Sequence, residues 1–335
     1  MTEYNVRVSI IIPHWNGIET ISECLDSLAK TQFHSYEVIV SDNASTDGSQ
    51  KWVKENHPEV RLLENLNNYG YAGGCNRGSE IARGALLLFL NNDTTQDLSW
   101  LEHLVKRIEI NDEIAAVQPK ILNYFDNGTF DYAGGSGGHM DLLCYPFARG
   151  RLFLEHERDK GQYDDAAQCF WTSGTAMLVR KELFIKAGKF DEVFFAHMEE
   201  IDLCWRAFNQ NLDVYSLYQT KVYHLGGGTL GLSPQKTYLN FRNSLFLLLK
   251  NLPEKRLIRI IERMVWDGVA IFFFIFRLQF KNAIAVVRAH FSFYKSFTKM
   301  MTKKKKQPLK TTYFSVKSLP LNNLFTKRGK IFILG

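Results

Sequence analysis

The chain has 335 residues, 45% hydrophobic and 23% charged, enough to bury a substantial core as one large domain or two. Five scattered cysteines (Cys24, Cys75, Cys144, Cys169, Cys204) without a Cys-x-x-Cys pair argue for a reducing compartment, and against a zinc site or a disulfide framework. The net charge of +6 hides a division: residues 1–249 carry 22 Lys/Arg against 32 Asp/Glu, while residues 250–335 carry 19 against 3. An acidic body thus carries a strongly basic tail, which should meet something anionic.

The N-terminus, Met1-Thr2-Glu3-Tyr4-Asn5, shows no basic n-region and no long apolar core followed by a cleavage site, so no signal peptide is expected. Residues 6–13 are rich in Val and Ile, as suits a central parallel strand. Pro13-His14-Trp15-Asn16-Gly17 ends it, and Ile18, Ile21, Leu25 and Leu28 then recur at helical spacing. A second strand, 36–40, runs into the polar loop 41–49 and the start of a helix at Gln50-Lys51-Trp52-Val53. This alternation predicts a right-handed, doubly wound α/β sheet. A short strand at 61–64 leads to four glycines among residues 70–78, opening a helix at about Cys75. Such glycines either pack a helix on a strand or let backbone approach a ligand.

Residues 86–90 are five apolar residues followed by Asn91-Asn92-Asp93-Thr94. They read as a buried strand ending where open α/β sheets bind ligands. Asp93 there could hold a divalent cation against a diphosphate, or the triplet could simply make the turn. A helix at 100–110 and strand material at 115–119 and 120–122 follow. The turn-rich stretch 126–165 reads as loops over the active face. A small-residue turn enters a strand within 170–180, with a helix over 181–187. Glu199, Glu200 and Asp202 come next, flanked by large apolar residues. On a helix Glu199 and Asp202 share a side and Glu200 points elsewhere. Such acids can complement a helix dipole or do catalytic work. Strands at 214–217 and 220–223 end in His224, a ligand candidate at a strand end before three glycines.

From Tyr238 the character changes. Asn240-Phe241-Arg242-Asn243 starts a long apolar helix that runs through Lys250 and is broken at Pro253. Residues 254–300 then interleave basic with aromatic and aliphatic residues, and Lys303-Lys304-Lys305-Lys306 follow. The most hydrophobic run, 268–276, is too short to span a bilayer, which needs roughly 20 apolar residues. Packing on the catalytic body would explain the apolar residues. An interfacial amphipathic helix explains the cations as well. Bulky Phe, Ile and Leu between the charges favour lipid over nucleic acid.

Six ordered motifs give the chain a resemblance to family 2 glycosyltransferases, most of all the rhamnosyltransferase-type members. They are Val8-Ser9-Ile10-Ile11-Ile12-Pro13, Asp42-Asn43-x-Ser45-Thr46-Asp47-Gly48, Asn68-x-Gly70-Tyr71-Ala72-x-Gly74-x-Asn76, Leu90-Asn91-Asn92-Asp93, Phe194-Phe195-x-x-x-Glu199-Glu200-x-Asp202-Leu203-Cys204-x-Arg206 and His224-x-Gly226-Gly227. The resemblance implies a GT-A fold over residues 1–240, nucleotide-binding to about 95 and acceptor-binding beyond, with 241–335 as a helical, membrane-seeking tail. By position, Pro13, His14, Trp15, Asn16 and Asp42 would meet the nucleoside. Asn68, Gly70, Tyr71 and Asn76 would line the sugar-nucleotide pocket. Asn91, Asn92 and Asp93 occupy the Asp-x-Asp metal motif with Asn in first place, so Mn²⁺ or Mg²⁺ would lean on Asp93 and His224. The general base maps to Glu200, with Glu199 as rival. Implied are inversion at the anomeric carbon, a nucleoside-diphosphate donor carrying a deoxyhexose such as rhamnose, and a glycan or lipid-linked acceptor. The implied location is the inner face of a bacterial cytoplasmic membrane, with no nucleic-acid partner. A degenerate, non-catalytic glycan binder is the alternative, while a nucleotidyltransferase would need a Gly-x-Gly-Thr-Arg-like signature near residue 15.

Overall fold

The computed structural model describes residues 6–152, 155–226, 233–303 and 312–315. They fall into two compact units, residues 1–138 with 148–229, and residues 139–147 with 230–335. The strands are β1 Val8–His14, β2 Tyr36–Asp42, β3 Arg61–Glu64, β4 Leu86–Leu90, β5 Thr94–Gln96, β6 Ile114–Asn123, β7 Gly138–Met140, β8 Pro146–Ala148, β9 Arg151–Leu152, β10 Glu155–His156, β11 Ala167–Gln168, β12 Ala176–Arg180 and β13 Asp213–His224. The helices are α1 Ile18–Leu28, α2 Ser49–Asn56, α3 Gly70–Ile81, α4 Trp100–Ile108, α5 Lys181–Ala187, α6 Glu199–Phe208, α7 Pro234–Asn251, α8 Arg256–Phe276 and α9 Phe280–Thr302.

In the first unit one mixed sheet runs β11-β13-β6-β12-β4-β1-β2-β3, with β5 on β13. The half from β3 to β4 is parallel, as the strand–helix alternation predicts. β12 enters antiparallel between β4 and β6, and β13 runs parallel to β6. β1 and β4 are buried at every position, which explains runs of Ile and Leu without alternation. The core gathers Ile10, Ile12, Leu88, Leu90, Trp100 and Leu104.

Some boundaries differ from the sequence reading for identifiable reasons. The two pieces expected between 115 and 122 form one ten-residue strand, β6, running through Pro119. The pieces expected at 214–217 and 220–223 are likewise one strand, β13, whose pairing with β6 shifts register between Leu217 and Lys221. α3 begins at Gly70, five residues before the expected start. Its glycines serve contact as well as turning: a Cβ on Gly78 would lie 2.5 Å from Ile11, and one on Gly74 would lie 3.0 Å from Pro13. The stretch 126–165, expected as loops, contains the short strands β7 to β10, and part of it, 139–147, joins the second unit.

The second unit holds α7, α8 and α9. Ser233 caps α7 by accepting from Lys236 N, with Pro234 at the first turn, so this helix starts before the expected Asn240. Inside the unit, Arg263 Nε donates to Asp267 Oδ1 at 2.9 Å. Its Nη1 donates to the carbonyls of Leu143 and Cys144, and its guanidinium stacks on the Tyr145 ring. His290 meets the other Asp267 oxygen at 3.0 Å. The segment 139–147 is thereby clamped to α8. Among the described residues no helix is long and apolar enough to cross a membrane. Lys304, Lys305, Lys306 and the glycines 227 and 228 after His224 lie outside the described residues.

Candidate active site

The carboxyl ends of β1, β2, β4 and β13 collect the polar residues that the sequence singles out. His14 and Asp42 are register partners at the ends of β1 and β2. Both are buried, because the strands ending in them are core strands. Asp42 Oδ2 accepts from Ser45 N at 3.0 Å and from Gln50 Nε2 at 2.5 Å, while its Oδ1 is buried without a partner. His14 Nδ1 lies 2.8 Å from Asn92 Nδ2, and His14 Nε2 is likewise buried and unmatched. Burial lowers the His14 pKa despite the opposing Asp42 and Asp47 charges, which favours neutral imidazole. A buried acceptor and a buried ring nitrogen left open side by side are unusual, and a polar ligand would satisfy both. Trp15 is partly exposed beside them. Asn16 Oδ1 accepts from Thr46 N and its own N–H donates to Ser45 Oγ, tying the loop after β1 to the loop after β2.

β5 pairs antiparallel with β13 so that Thr94 faces His224, and this backbone register sets Asp93 beside the imidazole. His224 Nε2 lies 3.2 Å from Asp93 Oδ1, and His224 Nδ1 lies 2.9 Å from Asp131 Oδ1. Burial alone would lower the His224 pKa. The Asp93 and Asp131 carboxylates outweigh it and hold the value at about 10. Asn91 Nδ2 approaches the same Nε2 at 3.4 Å. No group of three or more His, Cys, Asp or Glu side chains forms a metal cage among the described residues. What stands there is a carboxylate and an imidazole whose far nitrogen is held by a second carboxylate. Once a cation displaces the Nε2 proton, that donor set fits a hard cation that draws its remaining ligands from phosphate and water.

The acids stand on the first turn of α6. Glu199 is buried and Glu200 half-buried, and the Oε2 of each is closed off without a hydrogen-bond partner. Burial raises the Glu200 pKa to about 7. Burial and the Glu200 charge push Glu199 well above the usual carboxylate range. The third acid is different: Asp202 Oδ2 accepts from Arg206 Nε at 2.9 Å, and Arg206 also holds the carbonyls of Ala187 and Lys189. Asp202 therefore belongs to the architecture. Phe195, His197 and Met198, just before the acids, all have positive φ (66°, 68° and 76°), backbone that non-glycine residues rarely adopt.

α3 links the acids to the sheet edge. Gly70 must be glycine: its φ is +70°, and a Cβ there would lie 2.3 Å from the Phe195 carbonyl. Asn68 Oδ1 accepts from Gly70 N, starting the helix. Tyr71 lies within reach of the Glu199 and Glu200 charges, which add to burial in raising its own pKa. Its hydroxyl donates to Gly174 O at 2.5 Å, and the adjoining Thr175 carbonyl receives Asn91 N. Asn76 is committed to structure, exchanging amide hydrogen bonds with the Phe190 backbone in both directions. The site thus gathers His14, Asp42, Asn92, Asp93 and His224 along the sheet edge, with Tyr71 bonded to Gly174 next to the Asn91 strand end and within reach of the Glu199 and Glu200 charges. Sequence reasoning passed over Asp131, which lies in a stretch with no periodicity. A lone Asp before Tyr132-Ala133-Gly134-Gly135 offers nothing to single it out.

Solved structures with this fold include GalNAc-T7 with UDP, GalNAc and Mn²⁺, at a TM-score of 0.61 and 17% identity, covering 75% of this chain and 49% of that one. The mannosyltransferase PcManGT from Pyrobaculum calidifontis, in complex with GDP-Man and Mn²⁺, aligns at a TM-score of 0.53 and 15% identity, covering 97% and 89%. The fold is therefore that of the GT-A glycosyltransferases. The family described as Glycosyl transferase family 2 matches residues 9–187, and the chain belongs to it. Among relatives, the O-antigen biosynthesis protein RfbC of Myxococcus xanthus is 30% identical over 225 residues, 65% of this chain and 17% of that protein. The N-acetylglucosaminyl-diphospho-decaprenol L-rhamnosyltransferase of Mycobacterium tuberculosis is 27% identical over 194 residues, 53% of this chain and 63% of that protein. The chain thus spans less than two thirds of either relative.

Proposed function

We propose that the chain is an inverting glycosyltransferase that moves a sugar from a nucleoside diphosphate to a hydroxyl of a growing glycan. The observation that carries this reading is the pair of acids at the start of α6, Glu199 buried and Glu200 half-buried, each with one closed-off oxygen left without a partner, together with the sheet edge that holds Asp93 and His224. An acceptor hydroxyl is a weak nucleophile and needs a base close to neutral pKa, which suits Glu200 at about 7. Burial and the neighbouring charge push Glu199 upward as well, so the pair favours one ionised carboxylate at a time. The open Asp42 Oδ1 accepts from an N–H of the nucleobase, and the His14 Nε2 beside it meets the nucleoside. Asp93 and His224 would hold Mn²⁺ or Mg²⁺, which would neutralise charge on the departing diphosphate. With the base on one side of the anomeric carbon and the diphosphate on the other, a single displacement inverts configuration.

The relatives named for O-antigen synthesis and rhamnosyl transfer support a surface glycan as product and rhamnose, from its dTDP form, as a donor to test first. A lipid-linked acceptor would suit the basic tail, residues 241–306, resting on the inner face of a bacterial cytoplasmic membrane. The decisive experiment is a donor screen with purified protein and Mn²⁺ or Mg²⁺, reading release of UDP, GDP or dTDP, with NMR of the product anomer. Release from at least one donor with inverted product is expected. Retained configuration would remove Glu200 from the role of base in a single displacement. Glu200→Gln that binds donor but does not turn over separates catalyst from mere binder.

A further inference from the structure

α8 is built inside out for a helix in water. Its inward face carries Arg263 and Asp267, both buried, and Leu143, Cys144, Tyr145 and His290, which meet this ion pair, belong to the second unit. Its outward face carries Ile261, Val265, Val269, Phe272 and Phe276 at spacings of three or four, all exposed, with Phe272 at 63% and Phe276 at 85%. From Val265 to Phe276 the only charged residue is Asp267, and it points inward. The stripe continues through the α8–α9 turn at Leu278, 76% exposed, and along α9 through Phe280, Ile284 and Phe291. Beside it on α9, the exposed Lys281, Arg288, Lys295 and Lys299 recur at spacings of seven, seven and four, which is a second stripe on one side of the helix. Between residues 268 and 303 the chain has six Lys/Arg and no acid.

An exposed apolar face of this length on two successive helices is far from the ordinary scatter of surface hydrophobics. A second copy is a poor occupant, because a two-fold contact would lay this acid-free cationic stretch against itself. An anionic lipid surface matches both stripes. We propose that α8 and α9 lie in the plane of an anionic bilayer. The outward face of α8 and the α8–α9 turn enter the boundary between headgroups and acyl chains, and the stripe from Lys281 to Lys299 rests on lipid phosphates. This deepens the membrane-surface reading of residues 241–306 and rests on it: α8 supplies insertion, and the lysine run alone does not account for binding.

The test uses the full chain and vesicles of phosphatidylcholine with and without phosphatidylglycerol. Binding is expected only with phosphatidylglycerol. Val265→Glu and Phe272→Glu should each weaken it by about tenfold or more, with thermal unfolding in solution unchanged because these side chains are already exposed. A nitroxide on Phe272→Cys should become oxygen-accessible and shielded from aqueous relaxant on vesicles, while one on Lys299→Cys stays accessible to the aqueous agent. If the Glu variants bind as well as the parent and only Gln at positions 303–306 abolishes binding, insertion is wrong and the peripheral reading survives. If the parent binds neither vesicle, both fail. A concentration-dependent dimer that Phe272→Glu dissociates, with no vesicle binding, hands the face to a second copy and overturns the proposal. Nucleotide release from a free sugar nucleotide reads the glycosyltransferase function separately.

Discussion

Both units bury charge, and they do so in opposite ways. On α8, Arg263 and Asp267 are joined by a hydrogen bond, and His290, two backbone carbonyls and the face of Tyr145 surround them. On α6, Glu199 and Glu200 keep an oxygen each without any partner. A buried charge that is fully matched holds a fold in place, whereas one left open is costly and persists where a ligand or proton is to complete it. α6 contains both kinds within four residues, since Asp202 is bound to Arg206 in the same way that Asp267 is bound to Arg263. Proximity in sequence therefore says little about which acid acts.

The contrast can be broken by mutation. The largest expected effect is on turnover: Glu200→Gln should cut it by about 10²- to 10⁴-fold with donor binding kept, measured by steady-state kinetics and calorimetry. The parent rate should rise with pH up to about 7 as Glu200 ionises. Its folded pKa is raised, so its contribution to stability is fully present below the ordinary carboxylate range and is lost as pH rises through about 7. In denaturant titrations Glu200→Gln should remove that slope. Next in size, Asp267→Ala should destabilise by about 3–5 kcal/mol by leaving Arg263 buried and unmatched, read by urea unfolding. If Asp267→Ala were neutral and Glu200→Gln strongly destabilising, the contrast would be reversed and the assignments with it. Asp131→Asn should weaken Mn²⁺ binding by about 10- to 100-fold, by electron paramagnetic resonance titration, because His224 loses the partner that orients it. The smallest effect is a gain: Glu199→Gln should stabilise by about 1 kcal/mol at neutral pH, since burial disfavours ionisation of Glu199, the unfolded chain gains by ionising it, and an amide removes that difference.

Strong local pattern made much of this legible. β3, β4 and α5 have the bounds that the sequence predicts, because five consecutive apolar residues or a clean strand–turn–helix leave little choice. The ends of β1, β2, β4 and β13 could be located because polar residues interrupt apolar runs there. Pairing across the sheet was not legible: nothing local to Pro119 or Leu217 reveals that β6 and β13 run on past them side by side. Nor does sequence separate Asp202 from Glu199, because the difference lies in Arg206 reaching back one turn. Asn16 and Asn76 read as donor contacts, and their amides are engaged with neighbouring backbone. The clamp on 139–147 depends on a helix more than a hundred residues away.

All five cysteines are free and buried. Burial pushes the thiols of Cys75, Cys144, Cys169 and Cys204 upward as well as that of Cys24, so the folded protein should react sluggishly with alkylating reagents. Their positions turn that inertness into a clock for local opening. Cys75 sits in α3 and Cys204 in α6, the two helices that frame the open acids, whereas Cys144 sits in the clamped segment of the other unit. Pulses of alkylation followed by peptide mass mapping would time the breathing of each unit separately, without adding a single probe to the chain.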